Sequence, residues 1–526
     1  MNEQPDLTYN VNEYLSLKLL EGKTQILVGE KVLQQCKMLV MNIPRPEVRK
    51  LEKINSMDEL IEFAEKNGLT QEEVEEDFFN SGKEYDYNID ITQEEEFWAH
   101  CSTIQVWEES GYNTRLLDMR LAFPILKELA KLGDRKAKQK FKDEIYKRFT
   151  SVYPPVIIYL VEEGYLEFLT EEEMKTMFQQ TGMIEISNYY EKNDEEILIP
   201  QELVRAFSDK QLELFISASD PSGVKVLNLY NGKIKKLPRA ILKYRDLELL
   251  YLRDNKIEFL PERIDELANL KKLKLHNNNL KDLPDSIGNL KSLRILDLRN
   301  NNLHSLPDSI GNLENLEVLL LSGFGDENRD KKKPGNFLST LPDAIKNLKN
   351  LASLHLSHNL FSEIPPQVYK LTSLKILNFS KNNLERISNE LGQLNQLANL
   401  NLNHNKLKEL PDSLGKLKRL KALSLDFNKI THLPESVKHL KELKRLDIKH
   451  NQLKSVPEGI TNFSKLEELD LSYNPLRTVP EGIFELPNLK YLHLPTDKIS
   501  PPESFLSKYR KSLEAEKDIW YFLKSE

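Results

Sequence analysis

The dominant pattern along the chain is a hydrophobic repeat with a step of 23 residues, which runs from Val224 to Ile499. A clear copy reads Leu247-x-x-Leu250-x-Leu252-x-x-Asn255-x-Ile257. The last two leucines alternate with polar residues, which predicts a short strand with one buried face. Twelve copies fit this frame. Gly232 stands at the asparagine position of the first copy, and Asp497 at that of the last.

The recurring asparagine predicts a ladder inside the array. Its side chain carries both donors and an acceptor, so it can satisfy backbone groups that a non-helical bend leaves unpaired. The predicted structural ladder comprises Asn255, Asn278, Asn301, Asn336, Asn359, Asn382, Asn405, Asn428, Asn451 and Asn474. The Leu-Pro pair that follows in many copies predicts an extended bend and then a short turn.

Stacking of the copies decides the architecture. One copy cannot bury its own leucines, but stacked copies form a continuous core, which predicts a solenoid with parallel strands along its concave side. At roughly 4.8 Å per strand, twelve strands give a surface on the order of 55 Å long. The predicted fold class is α+β: a solenoid of about twelve 23-residue repeats, joined to a mainly α-helical N-terminal domain.

The repeat motif resembles that of leucine-rich-repeat proteins. The variant Leu306-Pro-Asp-Ser-Ile-Gly-Asn-Leu313 is similar to the intracellular Ras-associated (Shoc-type) and plant disease-resistance type. This resemblance covers residues 224–499. It implies a right-handed solenoid and a protein-binding scaffold, with a small GTPase or a phosphatase as the implied partner class.

The chain is predicted to have five parts. They are residues 1–45 with a β-hairpin, an acidic helical domain at 46–200, an N-terminal cap at 201–223, the repeats at 224–499 and a C-terminal helical cap at 500–526. A 12-residue insertion within 323–335 lengthens the fifth repeat and is either a solvated loop or a cover for a ligand. Helices are expected at 57–66, 70–78, 93–110, 114–132, 134–149, 155–165 and 170–180. The block from Glu96 to Ser102 is similar to N-terminal regions joined to leucine-rich repeats in archaeal proteins.

The outward positions of the strands predict a polarised concave face. A first candidate partner-binding patch is basic and aromatic, because exposed Tyr, Arg and His are enriched at binding hot spots. It comprises Tyr230, Tyr251, Arg253, Lys274, His276 and Arg299. A second candidate patch lies where the face turns acidic, and it comprises Asp426, Phe427, Asp447, Asp470 and Tyr473. Each residue taken singly is also explained as a polar position on a solvated strand.

Neither a metal site nor a catalytic site is predicted. Six histidines lie on or beside the concave face, but most are too far apart in the array to share an ion; they are His276, His355, His358, His404, His450 and His493. The neighbours His100 and Cys101 point about 100° apart on a helix and cannot readily share a proton. A buried seam of Trp98, Cys101 and Ile104 is expected instead. We therefore predict a non-enzymatic protein without a cofactor. The open alternative is an enzyme whose catalytic domain is residues 1–200, with the repeats selecting the substrate.

Charge and composition limit the class of binding partner and the cellular location that we expect. The net charge of −8 splits into 40 acidic and 23 basic residues in 1–200 (−17) and 42 acidic and 51 basic residues in 201–526 (+9). Much of the positive charge lies in the turns, and the concave face turns acidic toward its end, so nucleic-acid binding is not expected. Two cysteines, the lack of a signal-like start and the lack of a long apolar stretch predict a cytoplasmic protein that does not insert into a membrane.

Overall fold

The computed structural model describes residues 7–36, 93–181 except 115, 118 and 152, 196–198, 201–323, 336–495, 499, 501–505 and 507. The chain divides into two units between Thr181 and Gly182. The sequence placed this division near residue 200. The structure places it earlier because Glu196–Leu198 forms a strand that pairs with the first repeat.

The first unit begins with a four-stranded antiparallel sheet. Its strands are β1 Leu7–Asn10, β2 Leu15–Leu20, β3 Lys23–Val28 and β4 Lys31–Cys36, in that order across the sheet. Glu21 and Gly22 join β2 to β3 with φ of 50° and 73°, the left-handed values that a two-residue hairpin turn requires. One face of the sheet buries Leu15, Leu17 and Ile26.

Helices pack against this sheet and against one another. They are α1 Gln93–Glu109, α2 Met119–Leu132, α3 Arg135–Phe149, α4 Pro154–Glu162 and α5 Glu171–Thr181, with a 3₁₀ helix at Tyr165–Phe168. Asp134 caps α3 by accepting a hydrogen bond from the Ala137 amide at 2.9 Å. Gly164, at φ 70°, ends α4 before residue 165. The expected helices at 57–66 and 70–78 lie outside the described residues.

None of the helices in the described part of the chain is long and apolar enough to cross a membrane.

The second unit is built on a 13-stranded parallel sheet in which each strand pairs with its neighbours in sequence. The first strand, β5, is Glu196–Leu198. The twelve repeats supply β6 Val226–Asn228, β7 Leu249–Tyr251, β8 Lys272–Lys274, β9 Ile295–Asp297, β10 Val318–Leu320, β11 Ser353–His355, β12 Ile376–Asn378, β13 Asn399–Asn401, β14 Ala422–Ser424, β15 Arg445–Asp447, β16 Glu468–Asp470 and β17 Tyr491–His493. The strands are in register, so equivalent positions of successive repeats lie side by side.

Short 3₁₀ helices form the opposite side of the repeats. They span Arg239–Lys243, Ile264–Glu266, Asp285–Asn289, Asp308–Asn312, Asp343–Asn347, Pro366–Lys370, Asn389–Gln393, Asp412–Lys416, Glu435–His439, Glu458–Asn462 and Glu481–Glu485. Most follow the proline of a Leu-Pro pair, which holds the preceding backbone extended, as at Pro307 with φ −68° and ψ 151°. The core between the strands and these helices is a continuous column of buried leucines.

Two helices cover the first repeat. They are α6 Gln201–Ala206 and α7 Asp209–Ala218. The Val204 side chain of α6 explains why Gly232 replaces asparagine, because a Cβ added to Gly232 would lie 2.2 Å from Val204 Cγ1. Most of the predicted C-terminal cap, the insertion from residue 324 onward, and Asp497 lie outside the described residues.

Candidate functional site

The asparagine ladder ties each repeat to its predecessor. All ten predicted asparagines are buried. Asn278 shows the pattern: its Oδ1 accepts from the Ile257 amide at 3.0 Å, and its Nδ2 donates to the carbonyls of Leu252 at 2.8 Å and Leu275 at 2.9 Å. These bonds occupy the side chain inside the solenoid, so the ladder holds the strands in place and leaves partner binding to the outward residues.

Cations and tyrosines of successive repeats stack at the N-terminal end of the concave face. The Arg253 guanidinium lies 4.6 Å from the ring centroid of Tyr230, and Lys274 Nζ lies 5.2 Å from that of Tyr251. The register makes this possible because Tyr251 pairs directly with Lys274. A ring beneath each cation restrains a long side chain and so lowers the entropy it loses on binding. The structure thus brings four residues of the first candidate patch together.

The remaining two residues of that patch surround the carboxylate of Asp297, which was not among the predicted partner-binding residues. Asp297 is only 2% exposed, and its oxygens accept from Arg299 Nε at 2.8 Å and Arg299 Nη2 at 2.6 Å. His276 Nδ1 lies 3.0 Å from Asp297 Oδ2. Burial alone would raise the pKa of the Asp297 carboxyl, but the contacts with Arg299 and His276 outweigh it and hold that pKa well below its ordinary value. Two of the donors of Arg299 are therefore used inside the solenoid and are not available to a partner.

Three carboxylates gather at the C-terminal end of the face. Asp447 and Asp470 are direct partners on neighbouring strands, and Asp426 is 5% exposed. Lys449 Nζ lies 3.8 Å from Asp447 Oδ2, and His404 Nε2 lies 3.8 Å from Asp426 Oδ2. Burial, and then repulsion by Asp426, raise the pKa of Asp447 to about 6, and burial also raises the pKa of Asp426.

Four stacked rings run beside these carboxylates at the position just before the ladder asparagine. We call His404, Phe427, His450 and Tyr473 the ring row. Successive centroids are 4.3, 4.2 and 4.0 Å apart, and the planes differ by only 9°, 17° and 6°. From the sequence, Phe427 and Tyr473 were predicted to bind a partner, whereas His404 and His450 were considered only as metal ligands. The 23-residue spacing of all four aromatic residues was the available signal.

The ring row occupies a left-handed backbone position, which is uncommon for bulky side chains. The φ values of its four residues lie between 51° and 53°. In the early repeats the same position holds a polar row, where Asn277 donates to Asp254 Oδ1 at 2.6 Å and Asn300 donates to Asn277 Oδ1 at 2.7 Å. The side chains at this position therefore change from amides in the early repeats to aromatic rings in the late repeats.

The other histidines serve local roles. His355 Nε2 lies 3.0 Å from Ser353 Oγ, and burial lowers the pKa of His355. Burial, followed by repulsion from Lys381, lowers the pKa of His358 to about 4. Among the described residues, no three His, Cys, Asp or Glu side chains are arranged to hold a metal ion.

Two of the three residues predicted to form a buried seam on α1 are buried, and the prediction is wrong for Trp98. Cys101 and Ile104 are buried, but Trp98 is 44% exposed, and Phe97 takes the inward position beside it. Burial raises the pKa of the Cys101 thiol to about 12 and lowers the pKa of His100. The thiol is therefore protonated at neutral pH, which makes it a poor nucleophile.

Asp447→Asn is expected to stabilise the solenoid by about 1 to 2 kcal/mol at pH 7.5, because it removes a charge that the fold disfavours. A raised carboxyl pKa means that the folded wild type gains stability as pH falls toward and below about 6. The difference between the two proteins should therefore narrow at pH 5. Urea denaturation at both pH values measures this, and a variant less stable than the wild type at pH 7.5 would contradict it.

Comparisons with known proteins agree with this geometry. A model described as "Leucine-rich repeat region" matches residues 262–327 and 385–517, and one described as "Leucine rich repeat" matches residues 222–280 and 349–407. No curated protein sequence matches significantly.

Solved structures that resemble the chain also contain such repeats. A Leptospira interrogans LRR protein is 28% identical over 56% of this chain and 92% of its own, with a TM-score of 0.36. The ectodomain of the Arabidopsis thaliana receptor kinase GASSHO1/SCHENGEN3 is 25% identical over 56% of this chain and 39% of its own, with a TM-score of 0.44. The Arabidopsis HAESA ectodomain, in complex with an IDA peptide hormone, is 32% identical over 52% of this chain and 47% of its own, with a TM-score of 0.45. The chain thus spans less than half of either plant ectodomain.

The parallel sheet, the buried asparagine ladder and the 23-residue step define the second unit as a repeat solenoid. With the family matches, that solenoid is a leucine-rich-repeat domain, and most of the described residues before it are helical.

Proposed function

We propose that the protein is a non-enzymatic scaffold that holds a protein partner on the concave face of its solenoid. The observation that carries this proposal is the change in chemistry along the face. Arg253 and Lys274 are held over tyrosines at one end, while Asp426, Asp447 and Asp470 gather at the other. A partner with an acidic and a basic region would complement both ends in one orientation.

The basic and aromatic end is suited to an acidic segment of the partner. The Arg253 side chain is 45% exposed, and its planar guanidinium can donate two parallel hydrogen bonds to a carboxylate. Tyr230 and Tyr251 add apolar ring surface at low entropic cost, which is typical of binding hot spots. We place the main recognition of the partner here.

A small GTPase or a phosphatase as the partner, and a cytoplasmic location, are part of this proposal. They rest on the similarity of the 23-residue repeat to the intracellular Ras-associated type.

We expect the double variant Tyr251→Ala, Arg253→Ala of the full chain to retain at most a tenth of the partner that the wild type captures from lysate. The reason is that the variant removes one ring and one cation of the stacked pairs. Capture is quantified by mass spectrometry for the same identified partner, and circular dichroism checks that the fold is unchanged.

Arg263→Ala is the matched control. Arg263 lies beside the 3₁₀ helix of the same repeat and its side chain is 76% exposed, so the variant removes an equal charge away from the concave face. Equal capture by the wild type and the double variant would show that this end of the face does not bind the partner.

A further inference from the structure

We propose that the C-terminal end of the concave face is a subsite for a basic peptide segment, with an arginine side chain seated against Asp426, Asp447 and Asp470 beside the ring row. This inference rests on the proposed binding function and adds the chemistry of one part of the partner.

The cationic side chains of the solenoid compensate these carboxylates only partly, so the carboxylates can receive a further cation. Asp447 and Asp470 face each other across neighbouring strands, and Asp426 is close enough to oppose the ionisation of Asp447. Lys449 Nζ stays 3.8 Å from Asp447 Oδ2, longer than a close charge-assisted hydrogen bond. An arriving guanidinium would relieve the repulsion among the three acids.

Asp426 gives independent support for a ligand. Its side chain is only 8% exposed, and its Oδ1 has no hydrogen-bond partner among the described residues. A buried carboxylate oxygen without a hydrogen-bond partner destabilises the protein, and a donor from a ligand would remove that penalty. By contrast, Asp297 at the other end, which is also buried, is paired by Arg299 on both oxygens. Asp426 thus lacks the arginine that Asp297 already has.

The ring row gives the subsite its preference for arginine. Tyr473, the last ring of the row, is 68% exposed and stacks on His450 with one face, so it offers aromatic surface next to the carboxylates. Phe427 is already stacked between His404 and His450. A guanidinium stacks on aromatic surfaces and also pairs with carboxylates in its own plane, whereas an ammonium group is a point charge. A segment with arginine is therefore favoured over one with lysine alone.

The test measures the binding of fluorescein-labelled hexa-arginine and hexa-lysine peptides to the full chain by fluorescence anisotropy at 150 mM NaCl. The triple variant Asp426→Asn, Asp447→Asn, Asp470→Asn should bind hexa-arginine at least tenfold more weakly than the wild type. Asp426→Asn alone, checked by circular dichroism, should show a smaller loss in the same direction.

A matched control separates this subsite from general attraction to an acidic chain. Glu72→Gln, Glu73→Gln, Glu75→Gln also removes three negative charges, from the acidic run near the N-terminus, and should change the affinity less than threefold. An equal loss in both triple variants, or no loss in the aspartate variant, would overturn the proposal.

The ring row has its own variant. Tyr473→Asn installs the residue type found at the equivalent position in the third and fourth repeats, so the left-handed backbone is retained. We expect it to weaken the binding of hexa-arginine threefold to tenfold and that of hexa-lysine less. Equal effects on both peptides would show that the ring row does not select arginine.

Failure here is distinguishable from failure of the scaffold function. If the aspartate variant keeps its affinity for hexa-arginine while Tyr251→Ala, Arg253→Ala still loses the captured partner, the subsite is wrong and the scaffold stands.

Discussion

Asn301→Ala is expected to lower the free energy of unfolding of the solenoid by about 3 to 5 kcal/mol. Asn301 is fully buried, and its Oδ1 accepts from the Leu280 amide at 3.1 Å. Its Nδ2 donates at 3.0 Å to the carbonyls of both Leu275 and Leu298. Alanine would leave these backbone groups without that partner where water cannot replace it.

The loss should be centred on the third and fourth repeats, because Asn301 joins them. Stability in a solenoid depends on the contacts between neighbouring repeats, so a broken connection in mid-array weakens both sides. Urea denaturation measures the total loss, and amide hydrogen exchange locates it. We expect faster exchange first at the Leu280 amide.

Asn312→Ala is the control for this substitution. Asn312 is an exposed asparagine at the end of the 3₁₀ helix of the same repeat, and its replacement should cost less than about 0.5 kcal/mol. A cost below 1 kcal/mol for Asn301→Ala would show that the ladder is not what holds the repeats together.

The solenoid could be predicted from the sequence because its cause is periodic. Each 23-residue step repeats the same buried leucines and the same asparagine, so one physical argument applies to every copy. The strand Glu196–Leu198 could not be found in this way, since it is three residues long and lies before the repeating frame. The sheet of the first unit was anticipated only as the hairpin around Glu21-Gly22.

The candidate site was predicted less completely, because pairing between side chains depends on register. The sequence placed Arg253 and Tyr230 on one face, but the stacking of one over the other follows from the exact alignment of neighbouring strands. Asp297 was not predicted as a site residue, because the sequence pattern does not reveal that a single aspartate among basic residues is buried. Gly232 could not be explained from the sequence, because the side chain that fills the space beside it, Val204, belongs to a separate helix.

Arg299→Ala is expected to destabilise the solenoid by about 3 kcal/mol at pH 7, and more than Asp297→Ala does. The asymmetry follows from burial. Removing Arg299 leaves a carboxylate that is 2% exposed with much of its compensating charge gone, whereas removing Asp297 leaves a guanidinium whose side chain is 44% exposed and can reach water. Arg299→Ala therefore changes the fold as well as the face, which is why the capture experiment uses Tyr251 and Arg253 instead.

The pH dependence of this difference has a defined sign. In the wild type the pKa of Asp297 is depressed, so its contribution to stability is present above the ordinary carboxyl range and is lost as pH falls. Without Arg299, burial should raise that pKa, so the variant gains stability as the carboxyl takes up a proton. The two free energies of unfolding should approach each other between pH 7 and pH 4. Urea denaturation across that range measures the gap, and a gap that stays constant or widens on acidification would show that Arg299 does not stabilise the buried carboxylate.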